Sequence, residues 1–280
     1  MLAYRHAFHV GNHADVLKHI VLLGVLERMA AKDKAYWYID THAGAGSYQL
    51  GERMAQRLAE YETGIGRLWG RKDLPPAVAA YVEQIRAFNA DGALRTYPGS
   101  PALAGVMLRP QDRMRLFELH TTDHRLLANT WGQQAHVEVR QADGFAGLKA
   151  MLPPPSRRGV VLLDPSYELS SDYGQLVAAL RDAVTRFATG VYLVWYPQLQ
   201  SLESIRLPKR LKALSPAGWL HAQLTVAAPR DDGFGLMGSG MFVINPPFGL
   251  QENLKTALPW LARTLGQDGA GKHLLEAHTP

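Results

Sequence analysis

The sequence has 280 residues and contains no cysteine. That absence excludes disulfide bonds, thiolate metal ligands and a cysteine nucleophile. No apolar run reaches membrane-spanning length without charges, and the first six residues lack the long apolar core of a signal peptide. A serine hydrolase is disfavoured because no Gly-x-Ser-x-Gly elbow occurs. These absences predict a soluble, cytoplasmic protein with no membrane partner.

Positive charge exceeds negative charge only slightly. Thirty Lys and Arg residues stand against 25 Asp and Glu, which gives a formal net charge of +5, and 11 histidines are present. A basic balance favours a nucleic-acid partner bound through its phosphates. A mildly basic enzyme with a small-molecule substrate would have the same composition, so charge alone does not choose between the two.

Short runs rich in β-branched residues alternate with helical patterns along most of the chain. Strands are predicted at residues 35–40, 115–119, 137–141, 159–163 and 191–195. This alternation predicts an α/β fold with a mostly parallel, doubly wound sheet and right-handed crossovers. A late hairpin, with strands at 223–228 and 241–245, adds an antiparallel strand. No linker or repeat occurs, so residues 1–280 are expected to form a single domain.

The alternation pauses between residues 51 and 95. Helices are predicted at 54–68 and 76–89, which indicates a small helical insert within the domain. Two further helices are predicted at 14–31 and at 202–214, the second of them basic and amphipathic. Basic residues of the insert and of the 202–214 helix are candidates for phosphate contacts, although a solvated helix face is the more usual explanation.

Polar residues follow the predicted strands at their carboxyl ends, where open α/β sheets bind ligands. Asp40 and His42 precede a Gly-x-Gly turn, Glu118 lies at the end of the next strand, and Asp143 follows the strand after that. The dinucleotide fingerprint requires a third glycine where Gln49 stands, which argues against a nicotinamide or flavin site. A nucleoside ligand without a pyrophosphate fits this pattern better.

The stretch Asp164-Pro165-Ser166-Tyr167 follows the buried apolar run 159–163. Pro165 ends the strand because it has no N–H to donate. Such a group suits the modification of an exocyclic amine on a flat ring, which stacks on Tyr167 while Asp164 and the Pro165 carbonyl accept the amine hydrogens. The stretch resembles the Asp/Asn-Pro-Pro-aromatic motif of amino-methyltransferases that use S-adenosylmethionine. Ser166 replaces the second proline, which loosens the loop by about 0.4–1 kcal/mol of chain entropy.

Two other stretches match functional motifs in sequence but are not favoured as functional sites. Gly233–Gly238 matches G-x-G-x-x-G, but it precedes a strand instead of joining a strand to a helix, so it predicts a flexible hairpin loop. Asn245-Pro246-Pro247-Phe248 matches the amino-methyltransferase motif more closely than Asp164–Tyr167 does. Asp164 is nevertheless favoured because it is the fourth polar strand end of the βα series, whereas Asn245 comes after the antiparallel hairpin.

With these pieces placed, nearly the whole chain resembles the bacterial large-subunit ribosomal RNA adenine-N6 methyltransferases of the RlmJ type. The most specific markers are Tyr4-Arg5-His6-x-Phe8-His9-x-Gly11-Asn12, Asp15-Val16-Leu17-Lys18-His19, Asp40 to Gly46 and the Asp164 strand end. The resemblance implies a Rossmann-like class I methyltransferase domain with a small helical insert. It also implies S-adenosyl-L-methionine as cofactor and transfer of its methyl group in line to the N6 amine of a flipped or unpaired adenine in 23S ribosomal RNA.

The resemblance further implies roles for single residues. Cofactor contacts are expected at His19, His42, Ser100, Glu118, Asp143 and Gly144. Asp164 matches the catalytic acceptor, flanked by Pro165 and Tyr167, and Tyr4 matches a residue that meets the RNA. Glu118 is suited to ribose hydroxyls, Asp143 to the adenine amine and Gly144 to close backbone approach. Ser100 is also predicted to be the N-cap of its helix. Which of Lys18, His19 and His42 takes the cofactor carboxylate stays open.

No metal site is expected, because the histidines at positions 6, 9, 13 and 19 follow no common zinc-ligand spacing. The protein is expected to act as a monomer. Three alternatives stay open: a DNA adenine-N6 methyltransferase, a protein glutamine methyltransferase and a non-catalytic RNA-binding protein on the same fold. The sequence does not choose the adenine that is modified, nor between naked RNA and an assembling particle as substrate.

Overall fold

The computed structural model describes residues 5–215, 218–233 and 235–279. Tyr4, predicted to contact RNA, lies outside the described residues. Among those that are described, no helix is long and apolar enough to cross a membrane. An eight-stranded sheet forms the centre of the molecule, with helices packed on both of its faces.

The first helix, α1 (His13–Ala30), precedes the central strand β1 (Trp37–Asp40). Asn12 caps α1, because its side-chain oxygen accepts hydrogen bonds from the N–H groups of Ala14 and Asp15. Both faces of this helix are buried, since helices pack on one side of it and the sheet lies on the other. The helix therefore runs through the interior, and its polar residues near the N-terminus are buried with it.

Two short strands, β2 (Ser47–Gln49) and β3 (Thr96–Pro98), pair antiparallel at the two ends of the helical insert. Between them lie α2 (Arg53–Leu58), α3 (Glu60–Thr63), α4 (Gly66–Trp69) and α5 (Pro76–Ala87). The prediction of a single helix at 54–68 is therefore wrong, because three short helices occupy this part of the chain. The predicted helix is broken first at Ala59, whose φ of 48° lies in the left-handed region and ends α2.

The βα alternation resumes after the insert and continues to the end of the chain. Its elements are α6 (Ser100–Met107), β4 (Arg113–Phe117), α7 (Thr121–Trp131), β5 (Val137–Arg140), α8 (Gly144–Met151), β6 (Gly159–Leu163), α9 (Ser170–Arg186), β7 (Val191–Gln198), α10 (Leu202–Lys212), β8 (Trp219–Thr225), β9 (Gly238–Ile244), α11 (Leu250–Leu265) and β10 (Lys272–His278).

The strand order in the sheet is β10-β8-β9-β7-β6-β1-β4-β5. Strands β5, β4, β1, β6 and β7 are parallel, and β9 runs antiparallel to both β7 and β8. The predicted parallel sheet and late hairpin are confirmed, with longer hairpin strands than expected. Successive strands extend from β1 through β4 to β5 and then return to β6 on the other side of β1. This reversal is a topological switch point, where sheets of this kind bind ligands.

Strand β6 shows how the sheet is held in place. All five of its residues are buried. Val160 and Leu162 pack into the core cluster that contains α1 and α11, while Val161 and Leu163 pack into the cluster on the opposite face. A strand covered on both faces is typical of parallel sheets. The residue that follows β6, Asp164, is therefore carried on a rigid support.

Candidate active site

A cavity of about 200 Å³ opens at the switch point, beside the carboxyl ends of β1, β4, β5 and β6. Its lining includes most of the residues singled out from the sequence: His19, His42, Ser100, Glu118, Asp143, Gly144, Asp164 and Pro165. Tyr167 lies in the wall of a neighbouring cavity instead. We refer to the cavity at the switch point as the first cavity.

The end of β1 fixes Ser100 through a buried carboxylate. Asp40 is fully buried and accepts hydrogen bonds from the hydroxyls of Ser100, at 2.7 Å, and Tyr38, at 2.8 Å. Burial raises the pKa of Asp40 to about 6. The N-cap prediction for Ser100 is wrong, because Gly99 precedes the helix and Ser100 is its first residue. The serine hydroxyl is already committed to Asp40 and is not available to cap the helix.

Glu118 stands directly after β4 and is fixed by backbone groups. Its two carboxylate oxygens accept from the N–H groups of Gly44, at 2.9 Å, and His120, at 2.6 Å. Burial raises the pKa of Glu118 despite these bonds. Gly44 has a φ of 60°, and a Cβ there would overlap the Tyr48 hydroxyl, so the turn requires glycine. The Gly-x-Gly turn and the carboxylate are thus joined in one unit.

Asp143 and Gly144 form the end of β5 and the start of α8. One oxygen of Asp143 caps the helix by accepting from the N–H groups of Phe145, at 2.8 Å, and Ala146, at 3.3 Å. The second oxygen makes no hydrogen bond to the residues that the structure describes and stays available to a ligand. A Cβ at Gly144 would overlap the Thr41 carbonyl, so glycine lets the helix approach the end of β1.

Two histidines, the buried His19 and the half-buried His42, complete the first cavity as neutral rings. Burial lowers the pKa of His19 to about 3 and that of His42 to about 4. His19 Nδ1 lies 2.9 Å from the Tyr97 hydroxyl, while its Nε2 has no hydrogen-bond partner among the described residues. His42 Nδ1 lies 2.8 Å from Thr41 Oγ1. Both rings can exchange hydrogen bonds with a ligand, but neither offsets a negative charge near neutral pH.

Asp164 forms an ion pair that the sequence did not reveal. Lys18 Nζ lies 2.6 Å from Asp164 Oδ2 and 2.8 Å from Asp15 Oδ1. Burial opposes the charge on Lys18, but the two carboxylates outweigh it and raise the pKa of the amine well above its usual value. Lys18 therefore stays protonated and holds one oxygen of Asp164. The other oxygen, Oδ1, has no hydrogen-bond partner within the described ranges, and Asp164 lines a cavity.

A second cavity, of about 180 Å³, meets the first at Asp164. Both are lined by His6, Lys18, Asp164 and Ser166, and the second adds His9, Asn12, Ala14, Asp15, Tyr167, Trp195, Pro197, Leu199 and Leu236. One side of the second cavity is therefore apolar and aromatic, and the other is polar. Asp164 is placed so that its carboxylate borders two compartments of similar size.

Tyr167 is held firmly in the wall of the second cavity. Its hydroxyl donates to the Trp195 carbonyl at 2.6 Å, and its ring lies 4.6 Å from the Tyr173 ring, centroid to centroid. Only 7% of the residue is exposed. A base entering this cavity thus meets a fixed aromatic wall, and most of the Tyr167 ring is covered by protein.

Neither of the other two stretches that match functional motifs contributes a described residue to the lining of the first cavity. Gly233 and Gly235 lie in the hairpin loop between β8 and β9, as predicted, Gly238 is the first residue of β9, and Leu236 from this loop lines the second cavity. Asn245 follows β9, whose last residue pairs with Tyr192 near the start of β7. Its side chain donates to the carbonyls of Ala188 and Gly190, each at 2.7 Å. Because β9 is antiparallel, Asn245 lies at the opposite end of the sheet from Asp164.

Comparison with known proteins identifies the family. Residues 33–277 match the family model described as ribosomal RNA large subunit methyltransferase D, RlmJ. The chain belongs to the RlmJ family. It is 46% identical over 271 residues to ribosomal RNA large subunit methyltransferase J of Escherichia coli, covering 97% of this chain and 96% of that protein. The Haemophilus influenzae protein of the same name is 46% identical over 281 residues, with both chains fully covered.

A crystal structure of a Legionella pneumophila protein has the same fold as this RlmJ-family chain. The TM-score is 0.88 at 34% identity, covering 96% of this chain and 98% of the other. The strand order, the antiparallel hairpin and the family together establish a Rossmann-like class I methyltransferase fold. The resemblance seen in the sequence motifs is thereby confirmed.

Proposed function

We propose that this protein transfers a methyl group from S-adenosyl-L-methionine to the N6 amine of an adenine in large-subunit (23S) ribosomal RNA. The observation that carries the proposal is the position of Asp164 between two cavities, with one oxygen held by Lys18 and the other open. Membership of the RlmJ family, and the names of its relatives, support large-subunit ribosomal RNA as the substrate.

The first cavity has the groups that this cofactor requires. Glu118 offers its carboxylate to ribose hydroxyls, and the uncommitted oxygen of Asp143 can accept from an adenine amine. His19 brings an Nε2 that lacks a partner among the described residues, which a polar ligand group would satisfy. When bound, S-adenosylmethionine supplies an electrophilic methyl group. No group of three metal-ligating side chains occurs in the described part of the chain, and the proposal requires none.

The second cavity is the proposed acceptor site. The target base is expected to lie against Tyr167 and Trp195, with its amine toward Asp164. The amine of adenine is a weak nucleophile because its lone pair is delocalised into the ring. Asp164 Oδ1 and the Pro165 carbonyl can accept its two hydrogens and favour a pyramidal nitrogen. They also stabilise the positive charge that grows on nitrogen in the transition state.

Lys18 supports this step by positioning Asp164. Its ion pair restricts the rotamer of Asp164, so the acceptor is oriented before the substrate arrives. No strong base is required, because the methylated ammonium is itself very acidic. A paired adenine would have to be extruded to reach this cavity, and an unpaired RNA loop makes that easier. Tyr4 remains a predicted RNA contact, and the enzyme is expected to act as a monomer.

The experiment that tests the proposal is mass spectrometry of nucleosides after incubation of the protein with labelled cofactor and deproteinised large-subunit ribosomal RNA. We expect the label in N6-methyladenosine. Parallel reactions with duplex DNA and with protein separate the two other methyltransferase alternatives. Calorimetry that finds no binding of S-adenosylmethionine would contradict the proposal and favour a non-catalytic RNA-binding protein.

A further inference from the structure

Helix α10 has an unusual exposed face. Ser204, Leu207 and Leu211 are buried on its inner side. The outer side carries two exposed aliphatic residues, Leu202 at 58% and Ile205 at 63%. Exposed cations share that side: Arg206, Lys209 and Arg210. At 100° per residue, these five side chains fall within one stripe of a helix. Aliphatic and cationic groups are thus presented together on one surface, which we call the α10 face.

The cations of the α10 face are not neutralised within the described residues. Arg206, Lys209 and Arg210 have no carboxylate within ion-pair distance there. Neighbouring cations differ, since Arg186 of α9 pairs with Asp182 at 2.7 Å and Lys212 of α10 pairs with Glu276 at 2.7 Å. Three unpaired positive charges beside exposed aliphatic groups fit a partner that combines negative charge with apolar surface.

The α10 face begins at the rim of the second cavity. Leu199 lines that cavity, and α10 starts three residues later at Leu202. Ser204 fastens the first turn to the cavity wall, because its hydroxyl donates to the Pro197 carbonyl at 2.7 Å and accepts from the Leu199 N–H at 3.1 Å. The first turn of α10 is therefore joined directly to the wall of the second cavity.

We propose that the α10 face binds the RNA strand next to the target nucleotide. The proposal rests on the proposed function, which places a base in the second cavity. Leu202 and Ile205, nearest the cavity, contact the flat face of an adjacent unpaired base, while Arg206, Lys209 and Arg210 contact phosphates further along. The stripe from Leu202 to Arg210 is about 12 Å long at 1.5 Å per residue, enough to meet more than one nucleotide.

The test measures RNA affinity as a function of salt concentration, and separate variants remove the charged and the apolar side chains of the α10 face. The probe is an in-vitro transcript of large-subunit ribosomal RNA that the wild type methylates. The variant Arg206→Ala/Lys209→Ala/Arg210→Ala should bind it at least about 10-fold more weakly at 0.1 M salt. A plot of its log affinity against log salt concentration should be shallower than that of the wild type, with a slope smaller in magnitude by about 2, because each lost phosphate contact removes about 0.7–0.9.

The matched control removes the same charge from other surfaces. Lys32, Arg263 and Lys272 are exposed, and none of them has an ion pair within the described ranges. Lys32 follows α1, the other two lie on α11 and β10, and none of the three lines either cavity. The control variant Lys32→Ala/Arg263→Ala/Lys272→Ala should bind with a slope within about 0.5 of the wild type. Equal losses in both triple variants would overturn the proposal, because they would reflect net charge alone.

A second variant tests the two aliphatic residues of the α10 face, Leu202 and Ile205. Leu202→Ser/Ile205→Ser should weaken binding by roughly fivefold at every salt concentration and leave the slope unchanged, because only apolar contact area is lost. Both residues are exposed, so the fold should be kept, which thermal unfolding can check. Unchanged affinity in this variant would overturn the assignment of a base contact to Leu202 and Ile205.

Three outcomes distinguish this proposal from the proposed function and from a protein partner. If the wild type methylates the transcript and the α10 variants bind it like the wild type, the α10 proposal is wrong while the function stands. If the wild type neither binds nor methylates RNA, the function itself fails. Variants that act normally on naked RNA and poorly on ribosomal particles would overturn the RNA assignment and indicate a protein contact.

Discussion

Two proline-containing stretches follow strands of the same sheet, and only the first of them lines the two cavities of the candidate active site. Asp164-Pro165-Ser166-Tyr167 follows the parallel strand β6, and Asn245-Pro246-Pro247-Phe248 follows the antiparallel strand β9. The second has the better motif, but its strand runs the other way and delivers it to the opposite end of the sheet. Strand direction, rather than the match of letters, therefore decides which motif reaches the ligand-binding side.

The two stretches also differ in how they are held. Tyr167 and Asn245 both have left-handed backbones, with φ of 54° and 55°. Asparagine adopts this conformation readily, whereas for tyrosine it is strained. Tyr167 is 7% exposed and Phe248 is 91% exposed. The strained and buried aromatic residue lies beside the open carboxylate, as is common at functional sites.

The largest expected effect concerns the charge that supports Asp164. Lys18→Met leaves Asp15 and Asp164 without their shared cation, and breaking a buried ion pair costs about 3–5 kcal/mol. Urea unfolding measures this loss. The exposed pair between Lys255 and Glu252 is the control, where Lys255→Met should cost less than about 1 kcal/mol. Equal stability losses in the two variants would contradict the described pairing.

A smaller effect is expected on cofactor affinity at the Asp164 end of the sheet. Glu118→Ala removes a carboxylate from the first cavity and should weaken S-adenosylmethionine binding by about 1–3 kcal/mol, measured by calorimetry. Glu138 lies on β5, lines neither cavity and serves as the control. A similar loss of affinity in Glu138→Ala would show that the first cavity is not the cofactor site.

The free energy of unfolding should depend on pH through His19, which lines the first cavity. Burial lowers the pKa of His19 to about 3, while the unfolded chain protonates this residue near 6.5. Between these values the unfolded state binds the extra proton, so stability falls as the pH falls, by about 1.4 kcal/mol per pH unit for this group. His19→Gln should reduce the slope of unfolding free energy against pH by that amount, whereas Asn245→Ala should leave it unchanged. An unaltered slope in His19→Gln would contradict the buried neutral ring.

The smallest effect concerns the hydroxyl of Tyr167. Tyr167→Phe removes its hydrogen bond to the Trp195 carbonyl and keeps the ring, at a cost of about 1 kcal/mol in the free energy of unfolding. Methyl transfer should stay within about threefold of the wild type. Phe248→Ala, at the exposed counterpart, should change stability by less than about 0.5 kcal/mol. A loss of activity in Tyr167→Phe would assign chemistry to the hydroxyl instead of the ring.

Several features were predictable because they rest on local patterns. Strand β6 has a continuous apolar run, and polar residues stand at the ends of successive strands, so Asp40, Glu118, Asp143 and Asp164 could be listed before the fold was known. His19 and Ser100 were expected at the cofactor only because of the family resemblance. Strand β10 was missed because it is an edge strand with no buried residue, which leaves no apolar signature. Strands β2 and β3 were missed because three residues are too few to show a period.

The ion pairs of the site could not be predicted from the sequence. Lys18 and Asp164 are 146 positions apart, and only the packing of α1 against the sheet brings them together. Lys18 was considered instead for the cofactor carboxylate. Ser100 had the residue type and position of an N-cap, yet the buried Asp40 carboxylate takes its hydroxyl. In both cases a long-range partner outweighs the local preference.

The most direct test of the account is single-turnover methylation of ribosomal RNA by Asp164→Ala and Asn245→Ala, measured side by side on variants with wild-type circular dichroism. Asp164→Ala should slow methyl transfer by about 100-fold or more, the scale seen when one transition-state hydrogen-bonding group is lost, with cofactor affinity little changed. Asn245→Ala should transfer methyl groups at the wild-type rate. An active Asp164→Ala beside an inactive Asn245→Ala would place the active site at the opposite end of the sheet and contradict the account.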